Sequence, residues 1–178
     1  HQYDDGLLGD SRFRIHGFRF NDILAMPVGD EWRLLLSYTE WFEDELCFTN
    51  TLASVVVGDE DWSKWSVKRD DWQIVLRAPP CVQHRPSGAL IEGIEAGGRL
   101  VAAIDRQGLW SSGAYGRDDF YLSRNVPRDE TLAQRRDSGY GKVLRVDLAT
   151  GEFEVLAKGL RNPQGLAKAA DGTIWVTD

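Results

Sequence analysis

The chain repeats one short design three times, and this repeat constrains its fold more than any other feature. Each copy has a short apolar strand, a turn of a few residues and a second strand with a bulky apolar centre. The copies run from Asp22 to Tyr38, from Arg99 to Ser112 and from Gln164 to Thr177. Strands joined by such turns form hairpins, and a recurring hairpin is typical of repeated β architectures. Trp110 and Trp175 are expected at equivalent places in their copies.

Short β-rich runs between turn residues account for most of the remaining chain. Gly29-Asp30, Ala149-Thr150-Gly151 and Asp171-Gly172 supply the small residues that tight turns require. Helical periodicity is nearly absent, and its best candidate, around Asp129–Arg136, is short and polar. The predicted strands are Asp22–Met26, Arg33–Tyr38, Cys47–Val57, Trp72–Arg77, Arg99–Ile104, Leu109–Ser112, Lys142–Leu148, Glu152–Leu156, Gly165–Ala169 and Thr173–Asp178.

These patterns predict an all-β protein, a β-propeller fragment of four-stranded antiparallel blades. The recurring hairpin is the inner half of each blade, and Lys142–Leu148 with Glu152–Leu156 is the outer half of the middle one. We expect one partial domain over residues 1–178. Its blade-like units cover about 13–80 and 89–158, a third begins at 161–178, and residues 115–141 are a polar insertion loop.

Charge and hydropathy exclude two classes of partner. The net charge is −7 and the pI about 5.0, which argues against nucleic acid as a partner. No apolar run approaches the roughly 18–20 residues needed to span a membrane. The sequence starts without methionine and stops inside a predicted strand, so we expect a portion of a longer protein that self-associates through open blade edges.

The most specific string is Gly-Leu-Arg-Asn-Pro-Gln-Gly-Leu-Ala at residues 159–167. It resembles a signature of the soluble sugar dehydrogenases that depend on pyrroloquinoline quinone (PQQ), which are six-bladed propellers of the periplasm or the exterior. Gly97-Gly98-Arg99-Leu100 and the strand start at Gly141–Val146 resemble two further strings of that family, in the same order. The resemblance covers Glu92–Asp178 well and Asp22–Pro80 only by blade pattern.

The resemblance implies about two and a half blades of six, in a periplasmic or secreted protein that transfers hydride from a sugar hydroxyl to the quinone. Arg161, Asn162 and Gln164 would bind PQQ, because a guanidinium and amides hold carboxylate and quinone oxygens. The other interpretation of this string is a tight turn between blades, in which Pro163 stiffens the chain, Gly165 permits close packing and Arg161 braces neighbouring carbonyls.

Two positions depart from the family pattern. Glu95 stands where the family has the histidine base, and Ala114 stands where an aspartate supports that histidine. Glu95 is the candidate catalytic base if burial raises its pKa, and otherwise a solvated or salt-bridged carboxylate. Whether the protein is an enzyme therefore stays open. The alternative function is a non-catalytic propeller that binds carbohydrate or a protein partner.

The resemblance also bears on metals and cysteines. The family's calcium ligands come largely from a segment that follows the position of Asp178, so PQQ and calcium are expected in the complete protein, and neither in this chain alone. No metal ligand is assigned here. Cys47 and Cys81 permit one disulfide or two separate buried thiols, and the resemblance favours the disulfide.

Overall fold

The computed structural model describes residues 19–45, 47–58, 61–83, 96–103, 107–112 and 131–178. These residues form antiparallel β-sheets, with single-turn 3-10 helices at Trp62–Lys64 and Arg69–Asp71 and no α-helix within the described ranges. The predicted all-β class is confirmed. The described part of the segment around Asp129–Arg136 forms turns instead of a helix.

The first sheet contains five strands. Its four long strands follow chain order, and a short fifth strand pairs with the beginning of the third. The strands are β1 (Phe20–Val28), β2 (Glu31–Phe42), β3 (Cys47–Gly58), β4 (Gln73–Arg77) and β5 (Val82–Gln83). A disulfide joins Cys47, at the start of β3, to Cys81, just before β5, with their Cα atoms 5.7 Å apart.

The second sheet is a four-stranded meander, and a two-stranded hairpin follows it. The meander contains β6 (Gly97–Ala102), β7 (Gln107–Ser112), β8 (Lys142–Asp147) and β9 (Phe153–Lys158), and the hairpin contains β10 (Gly165–Lys168) and β11 (Ile174–Thr177). All ten predicted strands are present, with ends shifted by a few residues. The two-residue β5 was not predicted.

The sheets are neighbours through their first strands. β6 contacts β1 and β2 of the first sheet, and it also contacts β10 of the hairpin. The core lies between the first two sheets. Its completely buried members are large side chains, namely Leu35, Leu52, Trp110, Tyr140, Leu144 and Val146.

Three hydrogen bonds from buried side chains join the first sheet to the second sheet and its flanking residues. Trp110 Nε1 donates to Ser37 Oγ (3.1 Å), Asn50 Nδ2 donates to the Ala96 carbonyl (2.9 Å), and Tyr140 Oη donates to Thr49 Oγ1 (3.2 Å). Because the buried polar groups are paired, they add specificity to an otherwise apolar contact.

The expected equivalence of Trp110 and Trp175 is wrong. Their two hairpins close with main-chain hydrogen bonds of the same span, from Ala103 to Gln107 and from Ala169 to Thr173. Trp110 is three residues after Gln107, and the residue three after Thr173 is Val176. Trp175 is therefore one residue short of the position equivalent to Trp110. Because strand side chains alternate between faces, the two indoles lie on opposite faces. Trp110 is completely buried, whereas Trp175 is 66% exposed.

Lys142, at the start of β8, is a charged side chain inside the core. It is completely buried, and its Nζ donates to the carbonyls of Leu132 (2.8 Å), Ala133 (2.8 Å) and Tyr140 (2.5 Å). The three carbonyls replace the water molecules that the ammonium loses when it is buried. Lys142 therefore fastens residues 131–140 to the second sheet.

Candidate functional site

The Arg161–Gln164 turn lies where the first strands of the sheets begin. It directly precedes β10, and its neighbours are Arg99 near the start of β6 and, through Arg99, Asp22 near the start of β1. Residues that are far apart in sequence therefore meet at one end of the molecule. This end is the candidate site.

Asp178 holds the first half of the turn. Its carboxylate accepts the main-chain N–H of Arg161, at 2.8 and 3.1 Å to its two oxygens, and the N–H of Asn162 at 2.6 Å. Hydrogen bonds from an N–H to an ionised carboxylate are stronger than those to a neutral acceptor. One side chain thereby fixes two successive peptide groups.

Arg99 and β11 hold the second half of the turn. The Arg99 Nε donates to the Gln164 carbonyl at 2.8 Å, and the Gln164 N–H donates to the Thr177 carbonyl at 3.0 Å. A second Arg99 nitrogen lies 4.0 Å from Asp22, whose other carboxylate oxygen accepts the Leu100 N–H at 3.0 Å. The turn is thus connected to β1 and β6, the first strands of the first two sheets.

The side chains of the turn divide into packed and accessible groups. Pro163 is buried, Asn162 is partly buried, and Arg161 and Gln164 are exposed. The Gln164 amide donates to Asn162 Oδ1. Pro163 packs into the molecule, and Arg161 is an exposed cation whose planar guanidinium is of the kind that recognises carboxylates. The string therefore combines a structural proline with an accessible cation.

Asn21 places a further polar group at this end of the sheets. Its Nδ2 is buried and has no hydrogen-bond partner among the described residues. It lies beside Gly98, where an added Cβ would come within 2.3 Å of the Asn21 Cβ. A buried amide N–H without an acceptor is unfavourable, so this donor suits a bound water or ligand oxygen. Nothing in the sequence marked Asn21 as a site residue.

The structure brings together three of the predicted site residues, Arg161, Asn162 and Gln164, in one turn. Glu95 and Ala114 lie outside the described residues. Asp178 and Asp22 also support the turn, and neither was predicted as a site residue. The sequence signal for them is a charged residue near the start of β1, near the start of β6 and directly after β11.

The described residues offer little to a metal ion. Their only cluster of three metal-binding side chains is Glu45 with Cys47 and Cys81. Because the two sulfur atoms are bonded to each other, the cluster has no thiolate to donate. Calcium needs six or more oxygen ligands, which this cluster does not supply.

Comparison with known proteins returned no match. No family model, no curated protein and no solved structure matched the chain. In the described residues, no helix has the length and apolar character to cross a membrane.

Proposed function

We propose that this chain is part of an exported β-propeller whose Arg161 end binds PQQ, in a protein related to the sugar dehydrogenases. The observation that carries the proposal is the anchored turn with an exposed Arg161, at the end where the first strands of the sheets are neighbours. A five-stranded sheet whose four main strands follow chain order, a four-stranded meander and a hairpin, adjacent through their first strands, resemble the arrangement expected of successive blades. The Cys47–Cys81 disulfide suits an oxidising compartment outside the cytosol.

The residues at this end fit a quinone that carries carboxylates. Arg161 would hold carboxylate or quinone oxygens in two parallel hydrogen bonds, and Asn162 can both donate and accept. The buried Asn21 Nδ2 supplies a further donor at the same end. When bound, PQQ supplies the acceptor for the hydride that leaves the sugar carbon.

Turnover is a separate matter from cofactor binding, because it also needs a base for the sugar hydroxyl proton. Glu95 takes the family histidine's place, and a carboxylate accepts that proton well only if its pKa is raised toward neutrality. Ala114 offers no carboxylate to orient a base. We therefore propose PQQ binding first, and sugar oxidation with Glu95 as the base second.

The test is a titration of the complete protein with PQQ, with and without added calcium, followed through the quinone absorbance. Dye reduction with a panel of aldoses then measures turnover. Arg161→Ala should weaken PQQ binding about tenfold or more, which is the usual effect of removing one charged hydrogen-bonding group. Arg136→Ala is the matched control, because Arg136 is a second exposed arginine and lies outside the Arg161–Gln164 turn. An unperturbed quinone spectrum would end the proposal.

The replacements at Glu95 and Ala114 favour a second candidate, a propeller that keeps the fold and binds carbohydrate or a protein partner without chemistry. This candidate predicts no spectral change with PQQ and no dye reduction. It also predicts saturable binding of unmodified sugars, measured by calorimetry. PQQ binding that Arg161→Ala abolishes would rule it out.

A further inference from the structure

We propose that Asp178 is a positioning residue for the cofactor turn: its carboxylate fixes the peptide groups of Arg161 and Asn162 so that their side chains meet the quinone. The inference rests on the proposed function, and it assigns a role to a residue that no sequence motif marked. Asp178 lies 17 positions after Arg161 and 16 after Asn162, and only the β10–β11 hairpin brings it back to them.

The Asp178 carboxylate contacts two successive peptide groups of the turn. Both of its oxygens lie within hydrogen-bond distance of the Arg161 N–H, and one of them also accepts from Asn162. Two adjacent peptide planes that share one rigid acceptor have little freedom to rotate. The Cα positions from which the two side chains leave the turn are therefore set by Asp178.

Asp178 completes a set of contacts that anchor the turn. The Gln164 carbonyl is held by Arg99, and the Gln164 N–H is held by Thr177. These contacts fix the end of the turn that enters β10. Asp178 holds the main-chain N–H groups at the other end of the turn, those of Arg161 and Asn162, which carry two of the proposed PQQ contacts.

The charge of Asp178 also bears on the binding of an anionic cofactor. PQQ is an anion, so an uncompensated carboxylate beside its site would repel it. The Asp178 carboxylate instead directs its lone pairs to two N–H groups, whose dipoles offset part of its charge. An aspartate is therefore compatible with this end of the molecule, because it faces the main chain of the turn.

The experiment compares Asp178→Asn with Asp171→Asn in the complete protein. Asp171 is the matched control, because its carboxylate accepts a main-chain N–H from Thr173 at the opposite end of the same hairpin. The asparagine at 178 keeps the size of the side chain and one acceptor oxygen but loses the charge. Measurements are amide hydrogen exchange at Arg161 and Asn162 by NMR, the Kd for PQQ, and the melting temperature.

We expect exchange at Arg161 and Asn162 to be about threefold faster or more in Asp178→Asn, and PQQ binding to weaken about tenfold. Asp171→Asn should change neither, although both variants should lower the melting temperature by similar amounts. Unchanged exchange, or faster exchange with an unchanged Kd, would overturn the inference. If the parent protein fails to bind PQQ, the proposed function falls, and the exchange arm alone then decides whether Asp178 orders the turn.

Discussion

The indole Nε1 of Trp110 on β7 donates to Ser37 Oγ on β2 at 3.1 Å, and both residues are completely buried. Neither group can reach water, so each depends on the other for its hydrogen bond. Trp110→Phe should lower the free energy of unfolding by about 2–3 kcal/mol, because it removes apolar contact and leaves a buried hydroxyl unpaired. Urea denaturation followed by circular dichroism measures the change.

Trp175→Phe is the control for that variant, because Trp175 is 66% exposed. Its free energy of unfolding should stay within about 0.5 kcal/mol of the parent value. Equal losses in the two variants would contradict the assignment of the two indoles to opposite faces.

Gly98 is a position where the backbone and the packing both require glycine. Its φ is +94°, and an added Cβ would lie 2.3 Å from the Asn21 Cβ and 2.8 Å from Ser37 Oγ. Gly98→Ala should therefore cost about 2–4 kcal/mol of stability in urea denaturation. Gly172→Ala separates the two causes, because its φ is +88° but nothing lies within 4 Å. It should cost only about 1 kcal/mol, and equal costs would argue against the steric contribution.

Removal of the Lys142 amine should be among the most destabilising single changes. Lys142→Met keeps much of the side-chain volume but leaves the carbonyls of Leu132, Ala133 and Tyr140 without this donor. We expect a loss of about 3–5 kcal/mol. The control is Lys158→Met, since Lys158 is exposed and donates only to the Gln134 carbonyl in the described contacts. We expect Lys158→Met to lose only about 0.5 kcal/mol. Urea denaturation measures both changes, and a loss below about 1 kcal/mol at both positions would contradict the prediction for Lys142.

The Cys47–Cys81 bond closes a loop with a sequence separation of 34. Chain-entropy arguments give about 3–4 kcal/mol for a loop of that length. The double variant Cys47→Ala/Cys81→Ala should lose that amount in thermal or urea unfolding. Addition of a reductant should destabilise the parent and leave the variant unchanged. Equal sensitivity of the two proteins to the reductant would show that the thiols are not joined.

Tyr38 predicts a dependence of stability on alkaline pH. Burial, and then the nearby Glu40 carboxylate, raise the pKa of the Tyr38 phenol above its usual value of 10.0. A raised pKa means that the folded state favours the neutral phenol. The contribution of the neutral Tyr38 phenol to stability is complete below the pKa that the phenol has in the unfolded chain. It is lost as the pH rises through the pKa of the phenol in the folded protein. The stability difference between the parent and Tyr38→Phe should therefore fall above about pH 10. Parallel stability curves from about pH 8 to about pH 11 would contradict this.

The strands were predictable because the chain carries strong local signals. On β8 and β9 the sequence alternates, and the cross-strand pairs Leu144 with Val155 and Val146 with Phe153 are the apolar positions of that alternation. Turn residues such as Gly151, with φ of +74°, marked where the hairpin between them closes. Period and turn chemistry together define a meander without information from distant residues.

The contacts between sheets were not predictable in the same way. The face of Trp175 depends on a one-residue difference in hairpin register, which a comparison of apolar positions does not resolve. Lysine is almost never completely buried, so the residue type alone gives no reason to place Lys142 in the core. Asp178 meets Arg161 only after the hairpin has formed. In each case the decisive information is the distance between residues in the folded chain.

The hydrogen bonds from Trp110, Asn50 and Tyr140 across the space between the first two sheets have a mechanical consequence. A slip of one sheet along the other by a single residue, about 3.3 Å, would break all three at once. Partly shifted positions of one sheet on the other are therefore disfavoured, because they lack these three hydrogen bonds. The two sheets should unfold cooperatively, in one transition that every spectroscopic probe reports at the same denaturant concentration.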